Sequence, residues 1–180
     1  VDVDTDTRDR LAVIGYPVKV NFSPVYRGLP QSWNIGLKEA NGLYIVFAAD
    51  DLWWGDNWLY EAIQVMAEKF DYKGGMVGFN DTHTDGHLNA THYIASRTFI
   101  VEHLNGCLAF EVYKYCANDA EATQRAIRAG RYAWAEYAIV RHDHPTYNSR
   151  PHDATDVIKG EKHAAEDNAL FEQRMAANFP

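Results

Sequence analysis

"SWNIGLKEANGLYIVFAADD" occupies residues 32–51, and its periodicity changes halfway along. The first half has helical spacing. Leu37 and Ala40 share one side, Ser32 is a candidate N-cap, and Asn41-Gly42 is a stop signal. The second half, residues 43–48, is apolar throughout, as a strand buried on both faces would be. That strand runs into two adjacent carboxylates, Asp50 and Asp51, with Trp53 and Trp54 just beyond. Adjacent like charges relax in open water or around a cation. Carboxylates at the start of a following element also serve as caps. Spacing alone leaves both readings open.

Working outward, residues 1–4 read as the end of a strand and 5–9 as a polar turn. Residues 18–22 alternate like a strand. Residues 58–70 have helical period, with Leu59, Ile63, Met66 and Phe70 on one side. Short strands are expected at 76–79 and 91–95, separated by the turn-rich "NDTHTDGH" of 80–87. A helix follows at 97–104. "NDAEATQRAIRAG" (118–130) carries the best helix punctuation, with Asn118 as N-cap and Glu121 completing a capping box. A strand at 132–140 ends on "RHDHP" (141–145), and 153–179 reads as amphipathic helix packed on the same domain. Alternating strands and helices predict an α/β domain over 1–145 with a mainly parallel sheet, and a helical extension over 146–180. Ligands in such sheets bind beyond the carboxyl ends of strands. Asp50-Asp51 and His142/His144 would therefore share one rim.

The composition narrows the function classes. The chain has 180 residues, 47% apolar and 23% charged, which is enough for one domain with a core. A net charge of −8 argues against sequence-independent nucleic-acid binding, which needs a basic face. Two cysteines without a CxxC pair suggest no disulfide scaffold, so a reducing, cytoplasmic setting is expected. The sequence shows no apolar run of membrane-spanning length. Aromatics at 13% fit a filled core or a sugar-binding face, and of Trp53 and Trp54 one is expected in the core.

The candidate chemistry centres on few residues. A divalent cation holding a diphosphate needs one or two carboxylates, an imidazole, and positions left open for phosphate oxygens. Asp50-Asp51 with His142 or His144 would supply that set, although His-x-His before a proline also suits an exposed turn. Asp119, in the first turn of its helix, is stabilised there by the macrodipole or serves as a general base. His83, Asp85, His87 and His92 form either a second metal set or a solvated hairpin tip.

In series, these motifs resemble the family 2 glycosyltransferases of the GT-A fold. "VDTDTRD" (3–9) looks like that family's strand-end turn, and residues 32–51 like its helix, strand and Asp-x-Asp-type motif. "WGDNWL" (54–59), "YIASRTFIVEHLNG" (93–106), "NDAEATQRAIRAG" and "VRHDHP" (140–145) follow in family order. The resemblance implies a mixed, Rossmann-like GT-A sheet, short of the family's first strand–helix unit. It implies an inverting transferase moving a sugar from a UDP- or GDP-type donor to a glycan or other hydroxyl acceptor, with Mn²⁺ or Mg²⁺. On that reading Asp51 binds the metal with His142, or else His144. Asp119 is the base, Asp50 lies near the ribose or sugar, and Asp4 and Asn34 lie near the nucleotide. The absent unit keeps two other expectations in play: a non-catalytic GT-A-like binding module, and a homo-oligomer that completes the sheet edge. A metal hydrolase built on the same acids and histidines has only residue types behind it.

Overall fold

The computed structural model describes residues 4–15, 17–144 and 161–180. The expected strand end at 1–3, the start of the tail helix at 153–160 and Pro145 lie outside them. The described chain runs α1 (Thr5–Ala12), α2 (Leu29–Glu39), β1 (Tyr44–Phe47), β2 (Leu52–Trp54), α3 (Trp58–Phe70), β3 (Met76–Asn80), β4 (Tyr93–Ser96), α4 (Arg97–His103), α5 (Asn118–Arg128), β5 (Tyr132–His142) and α6 (Glu161–Ala176).

The sheet is mixed, in the order β1-β4-β3-β5-β2. Strands β1, β3 and β5 point the same way, but only β3 and β5 pair in parallel. Strand β4 lies antiparallel between β1 and β3, and β2 is antiparallel to β5. Connectivity explains this. Parallel neighbours need a crossover, usually helical, whereas residues 81–92 carry the chain from β3 to β4 without a helix.

Period-2 alternation splits the sheet's side chains between two cores. On one face Phe47, Met76, Tyr93 and Ala95 pack with Leu37 of α2, Phe99 of α4, and Ala122 and Ala126 of α5. On the other, Val77, Phe79, Ile94, Ala135 and Val140 meet Ala62, Met66 and Phe70 of α3. Each large buried side chain contributes about 1.5–3 kcal/mol. Helices thus cover both faces, and α6 adds Leu170 and Phe171 to the first core.

Several local expectations are corrected. Residues 5–9 belong to a helix, because Asp4 caps it: its carboxylate accepts from the Thr7 N–H at 2.9 Å. Residues 18–22 form no strand. Helix α2 starts ahead of Ser32, at Leu29 after the Gly28 N-cap, with Pro30 in its first turn, where a missing N–H is harmless. The buried stripe of α3 is Ala62, Met66 and Phe70, while Leu59 faces solvent. In α5 the N-cap is Ala117, and the Asn118 amide oxygen instead accepts from the Phe110 N–H at 2.7 Å. Glu121 turns inward rather than closing a capping box.

Candidate functional site

The direction of the strands assembles the site. Strands β1, β3 and β5 end at one rim, and antiparallel β2 and β4 begin there. Asp50 and Asp51 lie between β1 and β2, His142 ends β5, and His92 immediately precedes β4. The ladder places Leu52 opposite His142, and the Asp143 N–H donates to the Asp51 carbonyl at 2.8 Å. This backbone tie brings Asp51 Oδ1 to 3.2 Å from His142 Nε2. The contact with His142 holds the Asp51 carboxyl below the usual carboxylate range, against the opposing effect of partial burial.

Two more imidazoles flank His142. The His92 ring stands edge-on to it with centroids 4.6 Å apart, and His144 lies 5.2 Å away. His92 is 4% exposed. Burial, then the neighbouring His142, push its pKa down to about 4, so it is neutral at physiological pH.

Asp119 sits in the first turn of α5, half-buried, with Oδ2 3.4 Å from the Asn89 amide nitrogen. Burial raises its pKa, while the Ala120 N–H, Asn89 and the field of His142 oppose the rise. A carboxylate shifted upward is a stronger base at neutral pH than an exposed one. Asp51, His142, His144 and His92 are thus joined by contact, and Asp119 lies within the electrostatic reach of His142.

The remaining predicted residues stand outside this set of contacts. Asp50 is exposed in the bend after β1. Asp4 is engaged as the α1 cap, and its Thr7 hydrogen bonds lower its pKa. Asn34 ties α2 to the loop beyond α4. Its Oδ1 accepts from the N–H groups of Leu108 and Ala109 at 3.0 and 3.1 Å. Its Nδ2 donates to the Ala109 carbonyl at 2.8 Å and to Glu111 at 3.1 Å. Trp53 and Trp54 are both exposed, at 62% and 43%, so neither is core. Trp54 rests on Trp58 at 4.2 Å, and the Arg141 guanidinium lies over Trp53.

The 80–92 excursion is organised by Asp81, which the sequence reading passed over. Its buried carboxylate accepts from the N–H groups of His83 and Thr84 and from the hydroxyls of Thr84 and Thr91, at 2.7–2.9 Å. Burial pushes its pKa up, and these hydrogen bonds more than offset that. His87 packs edge-on to Trp134 at 4.6 Å, while His92 joins the rim. Among the described residues no three His, Cys, Asp or Glu side chains form a ready-made metal cage. A carboxylate and an imidazole in contact still suit a hard-to-borderline divalent cation that takes its other ligands from a phosphate-bearing partner and water.

Among the described residues no helix is long and apolar enough to cross a membrane. No curated protein matches the chain. A mannosyltransferase, PcManGT from Pyrobaculum calidifontis, solved with GDP-Man and Mn2+, shares the fold with a TM-score of 0.63 at 14% identity. The match covers 93% of this chain and 50% of that one, so this chain spans about half the length of that relative. The likeness carries the GT-A fold. The model described as Glycosyl transferase family 2 matches residues 6–122, and the chain belongs to that family.

Proposed function

We propose that this domain transfers a sugar, with inversion, from a nucleoside-diphosphate sugar to an acceptor hydroxyl in a metal-dependent reaction. The observation that carries this reading is the contact of Asp51 with His142 at the rim, with Asp119 within the electrostatic reach of that histidine. Asp51 and His142 would hold Mn²⁺ or Mg²⁺, with His144 as the alternative imidazole. When bound, the cation neutralises charge on the departing diphosphate. Asp119 accepts the proton of the attacking hydroxyl at its carboxylate. Its raised pKa keeps it basic enough to do so near neutral pH. Asp50, exposed in the same bend, would lie near the donor's ribose or sugar on this reading. The binding of GDP-Man and Mn2+ by the mannosyltransferase supports a donor and metal of these classes.

A second reading, a non-catalytic binding module, draws on Asn34. Both ends of its amide are occupied by the loop at 108–111, which leaves it little to offer a nucleotide. One experiment separates the two readings. UDP and GDP are titrated into the chain by calorimetry with Mn²⁺ and again with EDTA, and transfer is assayed for wild type and Asp119→Asn. Metal-dependent binding, with transfer lost in the variant and binding kept, supports the enzyme. A folded chain that binds neither nucleotide supports the module.

A further inference from the structure

The C-terminal helix holds the segment that carries Asp119 from both sides. Asp167 of α6 is 2% exposed, so its carboxylate is withdrawn from water. It accepts instead from three successive backbone N–H groups, those of Lys114, Tyr115 and Cys116, at 2.7–3.2 Å. Consecutive N–H groups converging on one anion make a nest. Here the anion comes from an element about fifty residues later. The next residue, Ala117, is left-handed at φ 67° and turns the chain into α5. A non-glycine residue in that region persists only where its surroundings over-determine it.

The second hold lies one turn further along. Glu121, two residues beyond Asp119, is fully buried. Arg174 of α6 donates to both of its oxygens at 2.8 Å. Arg125 donates to Glu121 at 2.9 Å and to the Phe179 carbonyl at 2.9 Å, closing the tail over α5. Asp119 therefore sits between a seated loop and a pinned first turn, and α6 supplies both anchors.

We propose that α6 is a positioning element for Asp119, with the Asp167 carboxylate seating the loop that leads into α5 and Arg174 fixing that helix's first turn. The catalytic half of this inference rests on the base assignment proposed above. Neither Asp167 nor Arg174 reaches the reacting atoms on this reading. Each acts through the placement of Asp119, and a misplaced base costs on the order of 100-fold in rate.

The test uses the full chain with Asp167→Asn, Arg174→Gln and Arg174→Lys. Amide hydrogen exchange is read over 114–121 and over α3 as an internal control. Donor affinity is measured by calorimetry with GDP or UDP and Mn²⁺, and kcat and KM are measured for transfer. Asp167→Asn is expected to raise exchange about 10-fold or more over 114–121 and leave α3 unchanged, as a local opening does. Donor affinity stays within about two-fold and kcat falls at least about 10-fold. Arg174→Gln behaves likewise, and Arg174→Lys recovers part of the loss. Should Asp167→Asn fail to fold, the Arg174 pair decides. Unchanged exchange over 114–121 overturns the clamp. Raised exchange with an unchanged kcat overturns its role in placing the base. A wild-type chain without donor affinity overturns the glycosyl-transfer reading alone, and exchange then decides the clamp by itself.

Discussion

Nε2 of His142 lies 3.2 Å from Oδ1 of Asp51, although the two residues are ninety-one positions apart in the chain. The pairing of β2 with β5 makes this contact. Leu52 sits opposite His142, so the residue before β2 and the residue that ends β5 meet at the rim. A two-residue bend at Asp50-Asp51 thus does two things. It presents a carboxylate beside an imidazole, and it turns the chain into a strand that fixes the distance between them.

Removing either partner should uncouple nucleotide binding from metal. Asp51→Ala and His142→Ala are each expected to weaken Mn²⁺-dependent nucleotide affinity by at least about 10-fold, and a loss on His142→Ala selects His142 over the neighbouring His144 as the metal's imidazole. EDTA should then make little further difference. Calorimetry with and without chelator checks this, and full metal dependence surviving in Asp51→Ala would refute the assignment.

Asn34 is expected to behave as a structural residue. Asn34→Ala leaves the N–H groups of Leu108 and Ala109 without their acceptor in a part-buried loop. The expected cost is about 2 kcal/mol of stability. Urea unfolding measures that loss, and nucleotide affinity of the folded variant should stay unchanged. A drop in affinity out of proportion to stability would give Asn34 a place at the nucleotide.

The alternation of helix and strand was legible because apolar period separates the two, as at α3 and β1. The shared rim of Asp51 and His142 was legible too, since both follow strand ends. His92 was not. The sequence groups it with His83, Asp85 and His87 in a metal set or a solvated hairpin tip, whereas it packs against His142 at the rim. Local punctuation misled where distant partners intervened. Asn118 and Glu121 have the spacing of a capping box, but Phe110 takes the first and Arg174 the second. A contact across about fifty residues leaves no periodic trace. Nor does the amphipathic pattern of the tail reveal that Asp167 points at a nest of backbone N–H groups.

Glu121 should give the fold a specific weakness in acid. Burial pushes its pKa up, but hydrogen bonds from Arg174, Tyr113 and Arg125 more than offset this and leave it below its ordinary value of 4.5. A lowered folded-state value contributes stability above the unfolded pKa, and that contribution is lost as pH falls through the folded one. Glu121→Gln is therefore expected to cost about 3 kcal/mol at pH 7, by leaving two guanidinium groups without their carboxylate. The gap between variant and wild type should narrow below about pH 4.5. Thermal unfolding of both proteins from pH 7 to pH 3 reads this directly, and a gap independent of pH would mean that the network is held by shape rather than charge.

Asp119 should show the opposite sign. Its folded-state pKa is raised, chiefly by burial, above the ordinary 3.8. Between those two values the folded chain binds the proton more tightly than the unfolded chain, so this residue's contribution to stability falls as pH rises. At neutral pH the ionised, half-buried carboxylate is a standing cost to the fold. Asp119→Asn removes that charge and keeps an oxygen for the Asn89 amide. The variant is expected to melt above wild type at pH 7, with the difference closing as pH falls toward 3.8. Transfer should meanwhile fall by about 100- to 10,000-fold, the usual range for loss of a general base. Melting curves at pH 7 and pH 4, alongside rates, test both halves. A residue that destabilises the fold and is needed for turnover is retained for chemistry. A variant that loses stability at pH 7 and keeps its rate would make Asp119 a helix-end carboxylate and nothing more.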